Sequence, residues 1–397
     1  MKIEDLEIIL AKKYISIRSV TGEEHELSKE IQKDLTSYGI KSEVDEWGNV
    51  IGIIGSGTSP ILVFNGHIDT VPPVPGWTKD PFNPTIEGDK LYGLGSSDMK
   101  GSLASIVASI IELSNYKLNG TIIFTGVVGE EGGSETWGSL LIASKGFLSN
   151  KNIDYIVVGE GSVRANKIMV RIGQRGYVRF RVVLKGVSTH SSVPTEGANA
   201  LYRLADFLNE IRNLDYHLKP RYISSITFNP YIKGTIAPTI VKGGQKLNII
   251  PAECEIYLDR RLVYGETIDE AYNQIKNIIN HLDETHANSY QVPKETIQSQ
   301  IEILHGRPPY LTDLNDPRGQ KLVKNAEQAI LETTGSLPEK VYGTGYTDAE
   351  ILNYYTKAPA IIIGAGEMGH TPDEYVKLSL LKQLKKIYIK LALKLLD

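Results

Sequence analysis

Four short apolar runs, each broken by glycine and then by a histidine or carboxylate, constrain this chain more than any other feature. Residues 61–64 (ILVF), 121–128 (TIIFTGVV), 153–158 (IDYIVV) and 360–363 (AIII) show no regular polar alternation. Such runs suit strands buried on both faces, as in a parallel sheet covered by helices. His67 and Asp69 follow the first run, after Asn65-Gly66. Glu130 and Glu131 follow the second, Glu160 the third, and a glycine-rich stretch ending in His370 the fourth. Open α/β sheets keep their ligands just beyond the carboxyl ends of such strands. A further acid, Asp98, precedes 102–113, a small-residue and apolar stretch read as a buried helix. Taken alone, Asp98 reads as a helix cap.

The rest of the chain supplies the frame. A length of 397 residues is too great for one ordinary core and implies two domains. Residues 3–19 read as an amphipathic helix. Thr21 and Glu24 form a capping-box pair for a second helix over about 22–37. A strand is expected over 48–57, and the proline-rich passage 71–84 is a surface loop. The closing segment, 372–396, reads as a helix capped by Thr371 with Pro372 at its first position. Between the third and fourth runs the texture changes. Residues 176–185 alternate as a half-exposed strand should, and a helix is expected at 199–212. Strands follow near 222–233 and 247–262, then a helix at 267–284 and a strand near 289–301. That order, βαββαβ, is a compact α+β unit. The expected architecture is therefore α/β: a doubly wound mixed sheet formed by 1–174 and 304–397, with an α+β domain inserted at 175–303.

Composition excludes several classes. A net charge of −4 offers no electrostatic footprint for nucleic acid. One cysteine, Cys254, leaves no intramolecular disulfide and no sulfur-based zinc site, and suits a reducing cytoplasm. No run approaches the ~18 apolar residues of a membrane span. The first residues mix charge at helical spacing and do not read as a signal peptide.

The polar residues at the strand ends are His67, Asp69, Asp98, Glu130, Glu131, Glu160 and His370. Nitrogen and oxygen donors without sulfur suit zinc, cobalt or manganese. In His-x-Asp, one imidazole nitrogen can meet a metal while the carboxylate holds the other N–H. Two histidines and three acids fit two cations sharing a bridging carboxylate. Such a pair polarises a carbonyl and lowers the pKa of water from ~15.7 to ~7. A further carboxylate can then move the proton, which is worth ~10²–10⁴-fold in rate.

Here the sequence resembles the dinuclear zinc peptidase and deacylase family of acetylornithine deacetylase, succinyl-diaminopimelate desuccinylase, aminoacylase and related carboxypeptidases. The matching text is GHIDTVP, W-x-x-DPF with LYGLGSSDMKG, FTGVVGEEGGS, VGEGS, STHSSVPTEGANA and GAGEMGHTPDEY. These segments span nearly the whole chain in the family's order. The resemblance implies that His67 and Glu160 hold one metal, Glu131 and His370 the other, and Asp98 bridges them. It makes Asp69 the residue that orients His67 and Glu130 the general base and later acid. It also implies a cis Asp98–Met99 peptide bond. In the inserted domain it places His190 over the reacting carbonyl, supplied by the partner chain of a homodimer. Asn248 and Arg260 match substrate-carboxylate residues, Gly345 and Thr347 in GYTD a further substrate loop. Arg175 lies at the domain junction, as a substrate contact or a hinge.

Two decoys fall away. Gly364 to Gly369 (GAGEMG) matches a dinucleotide fingerprint, but one helix is all that follows, with no second strand for a ribose acid. His281 and His286 lie about 140° apart around a helix and do not converge. The expected activity is hydrolysis of the amide of an N-acyl amino acid. A carboxypeptidase or dipeptidase is the alternative on the same fold. A non-catalytic binding protein is the alternative from another class, and it has no use for Glu130.

Overall fold

The computed structural model describes residues 5–132, 137–367 and 369–396. Its larger sheet has nine strands of mixed direction. Across the sheet run Lys41–Val44, Val50–Gly55, Thr121–Val127, Ile61–His67, Tyr155–Val158, Ala360–Ile362, Val170–Gln174 and Tyr310–Leu311, while Lys340–Gly343 pairs with Val170–Gln174. The four apolar runs are the neighbouring strands Thr121–Val127, Ile61–His67, Tyr155–Val158 and Ala360–Ile362, and all four are parallel. Their carboxyl ends therefore open on one edge.

The runs lack alternation because both faces of this sheet are covered. Leu62, Phe64, Ile122, Phe124, Val157 and Ile361 pack into one core beneath helices Lys100–Leu113 and Leu378–Leu396. Their neighbours Val63, Ile123, Ile156, Val158 and Ile362 pack into a second core on the other face, with helices Gly138–Ser144 and Asp348–Thr356. Successive side chains on a strand point to opposite faces, so each run feeds two cores at once. The sheet is doubly wound, as expected.

The smaller sheet is antiparallel, in the order Thr235–Gly243, Glu253–Leu262, Gly176–Lys185, Gln300–Arg307. Helices Ala200–His217 and Ile268–Tyr290 cover one face, around Val178, Phe180, Phe207, Ile256, Leu258 and Ile275. The opposite face carries ion pairs such as Arg181–Glu255 and Arg179–Asp259. The fourth strand runs past residue 303.

Several local expectations are corrected. The strand expected near 222–233 is a short ribbon, Arg221–Tyr222 against Tyr231–Ile232, and the sheet strand begins at Thr235. The N–H groups of Thr227 and Phe228 bond to the carbonyl of Lys340, which draws this segment to the larger sheet. The strand expected near 289–301 starts at Gln300, because helix Ile268–Tyr290 runs beyond 284 with Ala287 buried. The second helix is His25–Ser37 and has no side-chain cap. Thr21 donates its hydroxyl to Asp69 instead, and Glu24 accepts from the Gly22 N–H. The last helix begins at Leu378 rather than 372. Tyr375–Lys377 is a strand paired with Lys90–Tyr92, and Asp89 accepts from the N–H of Ser379. The first helix is Leu6–Ser16; the start expected at residue 3 lies outside the described residues, as do Gly133, Ser134 and Met368 of the quoted motifs. Among the described residues, no helix is long and apolar enough to cross a membrane.

Candidate active site

His67 is the last residue of its strand, and its side chain is buried. Gly66 before it packs against the Met99 side chain: a Cβ there would lie 2.5 Å from the Met99 methyl, which would have to move. The nearest partner of His67 Nδ1 is the Asp69 backbone carbonyl at 3.0 Å, with the Asp69 carboxylate at 3.4 Å. A carbonyl only accepts, so Nδ1 carries the proton. Nε2 then turns its lone pair toward Asp98 Oδ1 and Glu160 Oε1, each 3.1 Å away. A lone pair facing two carboxylates is repulsive unless a proton or a cation lies between them.

Asp69 does more than face the imidazole. Its carboxylate accepts from the Thr21 hydroxyl at 2.7 Å and from the N–H groups of Glu130 and Glu131 at 3.2 and 3.1 Å. It thereby fixes the turn that presents both glutamates. On the far side, His370 Nε2 lies 2.9 Å from Glu131 Oε1 and 3.5 Å from Asp98 Oδ2. Asp98 thus sends one oxygen toward each histidine. The loop before His370 comes this close because Gly369 is bare; a Cβ would lie 2.5 Å from Asp98 Oδ2. His370 itself sits at φ 60°, a left-handed conformation a side-chain-bearing residue keeps only when its surroundings impose it. The Asp98–Met99 bond is cis.

Ligand atoms of His67, Asp98 and Glu160 lie within 4.8 Å of one another, as do those of Asp98, Glu131 and His370, and those of His67, Glu130 and Glu131. The donors are nitrogen and oxygen alone, and two of the sets share Asp98. That chemistry fits a pair of divalent cations. The charge balance agrees. Burial works to lower the pKa of His67, but Asp69, Asp98 and Glu160 outweigh it and hold it well above its usual value. The Glu131 hydrogen bond pushes His370 up to about 9. Burial pushes Glu130 well above the usual carboxylate range and raises Glu131. Burial also acts to raise Asp98, yet the His67 hydrogen bond keeps it low. The raised histidines report the carboxylates gathered around them, and the raised glutamates report burial.

A cavity of about 630 Å³ opens beside the cluster, lined by Asp98, Glu160, Arg171, Arg175, Lys233 and Tyr342 among others. Arg171 donates to the Gly161 carbonyl at 3.0 Å, and Arg175 to the Lys233 carbonyl at 2.7 Å. The remaining expected residues lie elsewhere. His190 is exposed on a ribbon with Ile249, and its Nδ1 accepts from the Ser192 N–H. Asn248 is exposed beside it, its carbonyl accepting from Ser191. Neither joins the hydrogen bonds of the cluster. Arg260 does lie on the buried face of its strand, but its guanidinium is committed to Glu266 at 2.7 Å and lines a separate pocket. The Thr347 hydroxyl is likewise committed to Gln174 at 2.6 Å and caps helix Asp348–Thr356. Gly345 has open space around it.

Two acids stand closer to the cluster than the sequence indicates. Asp348 is wholly buried, and burial pushes its carboxyl up to about 7 within reach of the His67 and Glu160 charges. In the sequence it closes the GYTD segment that matches a substrate loop. Glu374, expected in the first turn of a helix, instead hydrogen-bonds to the loop carrying Asp98.

The comparisons agree with this geometry. The chain is 28% identical over 397 residues to a succinyl-diaminopimelate desuccinylase of Pelagibacter ubique, covering 96% of this chain and 97% of that one. Its fold matches the aminopeptidase PepT of Bacillus cereus with a TM-score of 0.76 at 20% identity, over 99% of both chains. It also matches the Bacillus subtilis YXEP protein, described as a dinuclear metal-binding M20 peptidase, with a TM-score of 0.71 at 16% identity, over 99% of this chain and 98% of that one. The model of peptidase family M20/M25/M40 matches residues 63–394. This chain belongs to that family, and it is a hydrolase of the amidohydrolase and metallopeptidase kind.

Proposed function

We propose that this enzyme hydrolyses the amide bond of an N-acyl amino acid, of the succinyl-diaminopimelate or acetylornithine kind, with two divalent cations. The observation that carries the reading is His67 Nε2, 3.1 Å from both Asp98 and Glu160 beside a cavity that bears Arg171 and Arg175. His67 and Glu160 would hold one cation, Glu131 and His370 the other, and Asp98 both. The cations, zinc or alternatively cobalt or manganese, would supply Lewis acidity and a water acidic enough to react at neutral pH. The dinuclear relative from Bacillus subtilis supports the count.

The chain's own groups do the rest. Asp69 holds the His67 ring and the 130–131 turn. Glu130 takes the proton of the attacking water and returns it to the departing nitrogen. Its raised pKa suits a group that must hold a proton in mid-reaction. Arg171 and Arg175 face the carboxylates of the substrate. His190, Asn248 and Arg260 of the 175–303 segment, with the Gly345–Thr347 loop beside the larger sheet, would reach substrate when the two parts close on it. Short-peptide hydrolysis is the second reading, favoured by the likeness to PepT.

The test is a panel of N-succinyl and N-acetyl amino acids and simple dipeptides, run on metal-loaded protein and on Glu130→Gln. Anionic acyl amino acids should turn over fastest, and Glu130→Gln should keep its metal while losing at least ~10²-fold in rate. Fast dipeptide turnover with inert acyl amino acids would reverse the ranking.

A homodimer through the inserted domain belongs to the same reading. Strand Thr235–Gly243 forms an edge of the smaller sheet and exposes Ile240 and Val241, at 52% and 50%. Such an edge is a template for pairing with another chain. A sedimentation mass of one chain at full activity would remove this element. The buried, unpaired Cys254 suits a reducing cytoplasm.

A further inference from the structure

Glu374 is buried, at 2% exposure, and follows His370 by four residues. Its carboxylate accepts from three backbone N–H groups of one loop: Ser97 at 2.7 Å, Asp98 at 3.0 Å and Gly95 at 3.3 Å. Its backbone carbonyl accepts from Gly93 at 3.1 Å. No helix or strand requires this set, since Glu374 grips a loop rather than a ladder. The neighbouring Asp373 clamps a different, exposed loop through Thr78 and Lys79.

We infer that Glu374 is a positioning residue: it ties the loop bearing Asp98 to the segment bearing His370 and so sets where the Asp98 carboxylate stands between the two imidazoles. Among the described residues the side-chain partners of Asp98 are His67 and His370, themselves candidate ligands, whereas Glu374 holds the N–H of Asp98 itself. The inference rests on the cluster being a cation site, but not on any choice of substrate.

The test titrates zinc and cobalt into metal-free wild type, Glu374→Ala, Glu374→Gln and Asp373→Asn, with the visible spectrum of the cobalt form and kcat and KM as further readouts. Loss of an outer partner of a metal ligand costs about 10–100-fold in metal affinity or activity. Glu374→Ala should weaken cation binding on that scale, alter the cobalt spectrum and lower kcat with little change in KM. Glu374→Gln keeps an oxygen for Ser97 and Asp98 and loses the acceptor for Gly95. It should shift affinity and spectrum in the same direction, by less. Asp373→Asn should match wild type. If Glu374→Ala does not fold, Glu374→Gln decides. Wild-type affinity and spectrum in the folded Glu374 variants, or an equal change in Asp373→Asn, would overturn the inference. Failure of wild type to take up two cations would instead overturn the proposed function.

Discussion

Two buried polar clusters, one at the edge of the larger sheet and one beside the smaller sheet, are built on opposite principles. Beside the smaller sheet, Arg203 is 1% exposed and every arm of its guanidinium is answered. Nε donates to His286 Nδ1 at 3.0 Å, Nη1 to the carbonyls of Ile297 and Lys185, and Nη2 to Asp283 and Ser299. His286 passes its own proton to Asp206 at 2.9 Å. Donors and acceptors balance, so this cluster has nothing left to recruit. At the sheet edge Asp69, Asp98, Glu130, Glu131, Glu160 and Asp348 converge on two imidazoles, and the acceptors are in excess. A buried cluster that balances is architecture; one that does not is asking for a cation. The same rule explains why His286 is no ligand: both of its nitrogens are occupied.

That contrast can be broken. The largest effect should come from Arg203→Ala, which strands the buried Asp283 without its partner. Removing one member of a buried pair costs about 3–5 kcal/mol. Urea unfolding should show that loss while folded protein still takes up its cations. Glu130→Gln should show the reverse signature, with stability kept and turnover lost. If Arg203→Ala abolished cation uptake in folded protein, the two clusters would not be independent.

A smaller effect should appear with pH. Burial holds the His286 pKa below its usual 6.5, because Nδ1 must stay bare to accept from Arg203. Below about pH 6.5 the unfolded chain takes up this proton and the folded chain does not. Folding stability is therefore complete above that pH and declines as pH falls through and below it. Melting curves of metal-free protein should show this decline, and His286→Gln should reduce it. An equal decline in both would assign the acid sensitivity elsewhere.

Much of the catalytic edge was legible because each strand run carries its ligand immediately behind it. His67, Glu130, Glu131, Glu160 and His370 could be named from apolar runs and their punctuation, Asp98 only from the family resemblance, and the structure brings all six together. What was illegible depends on partners distant in sequence. Thr21 reads as a helix cap until Asp69, 48 residues away, takes its hydroxyl. Glu374 reads as an acid in the first turn of a helix and Asp348 as the end of a substrate-loop match, and only folding turns them toward the cluster. Residues 222–233 are apolar enough for a strand, but the Lys340 carbonyl claims their N–H groups first. Local pattern decides an element when nothing remote competes for its hydrogen bonds.

His370 and Glu374 lie within the last 28 residues of the chain. A ribosome delivering this protein exposes His67, Asp98, both adjacent glutamates and Glu160 long before the second imidazole exists to meet them. Until the segment bearing His370 and Glu374 packs back on the loop bearing Asp98, the gathered acids face one imidazole instead of two.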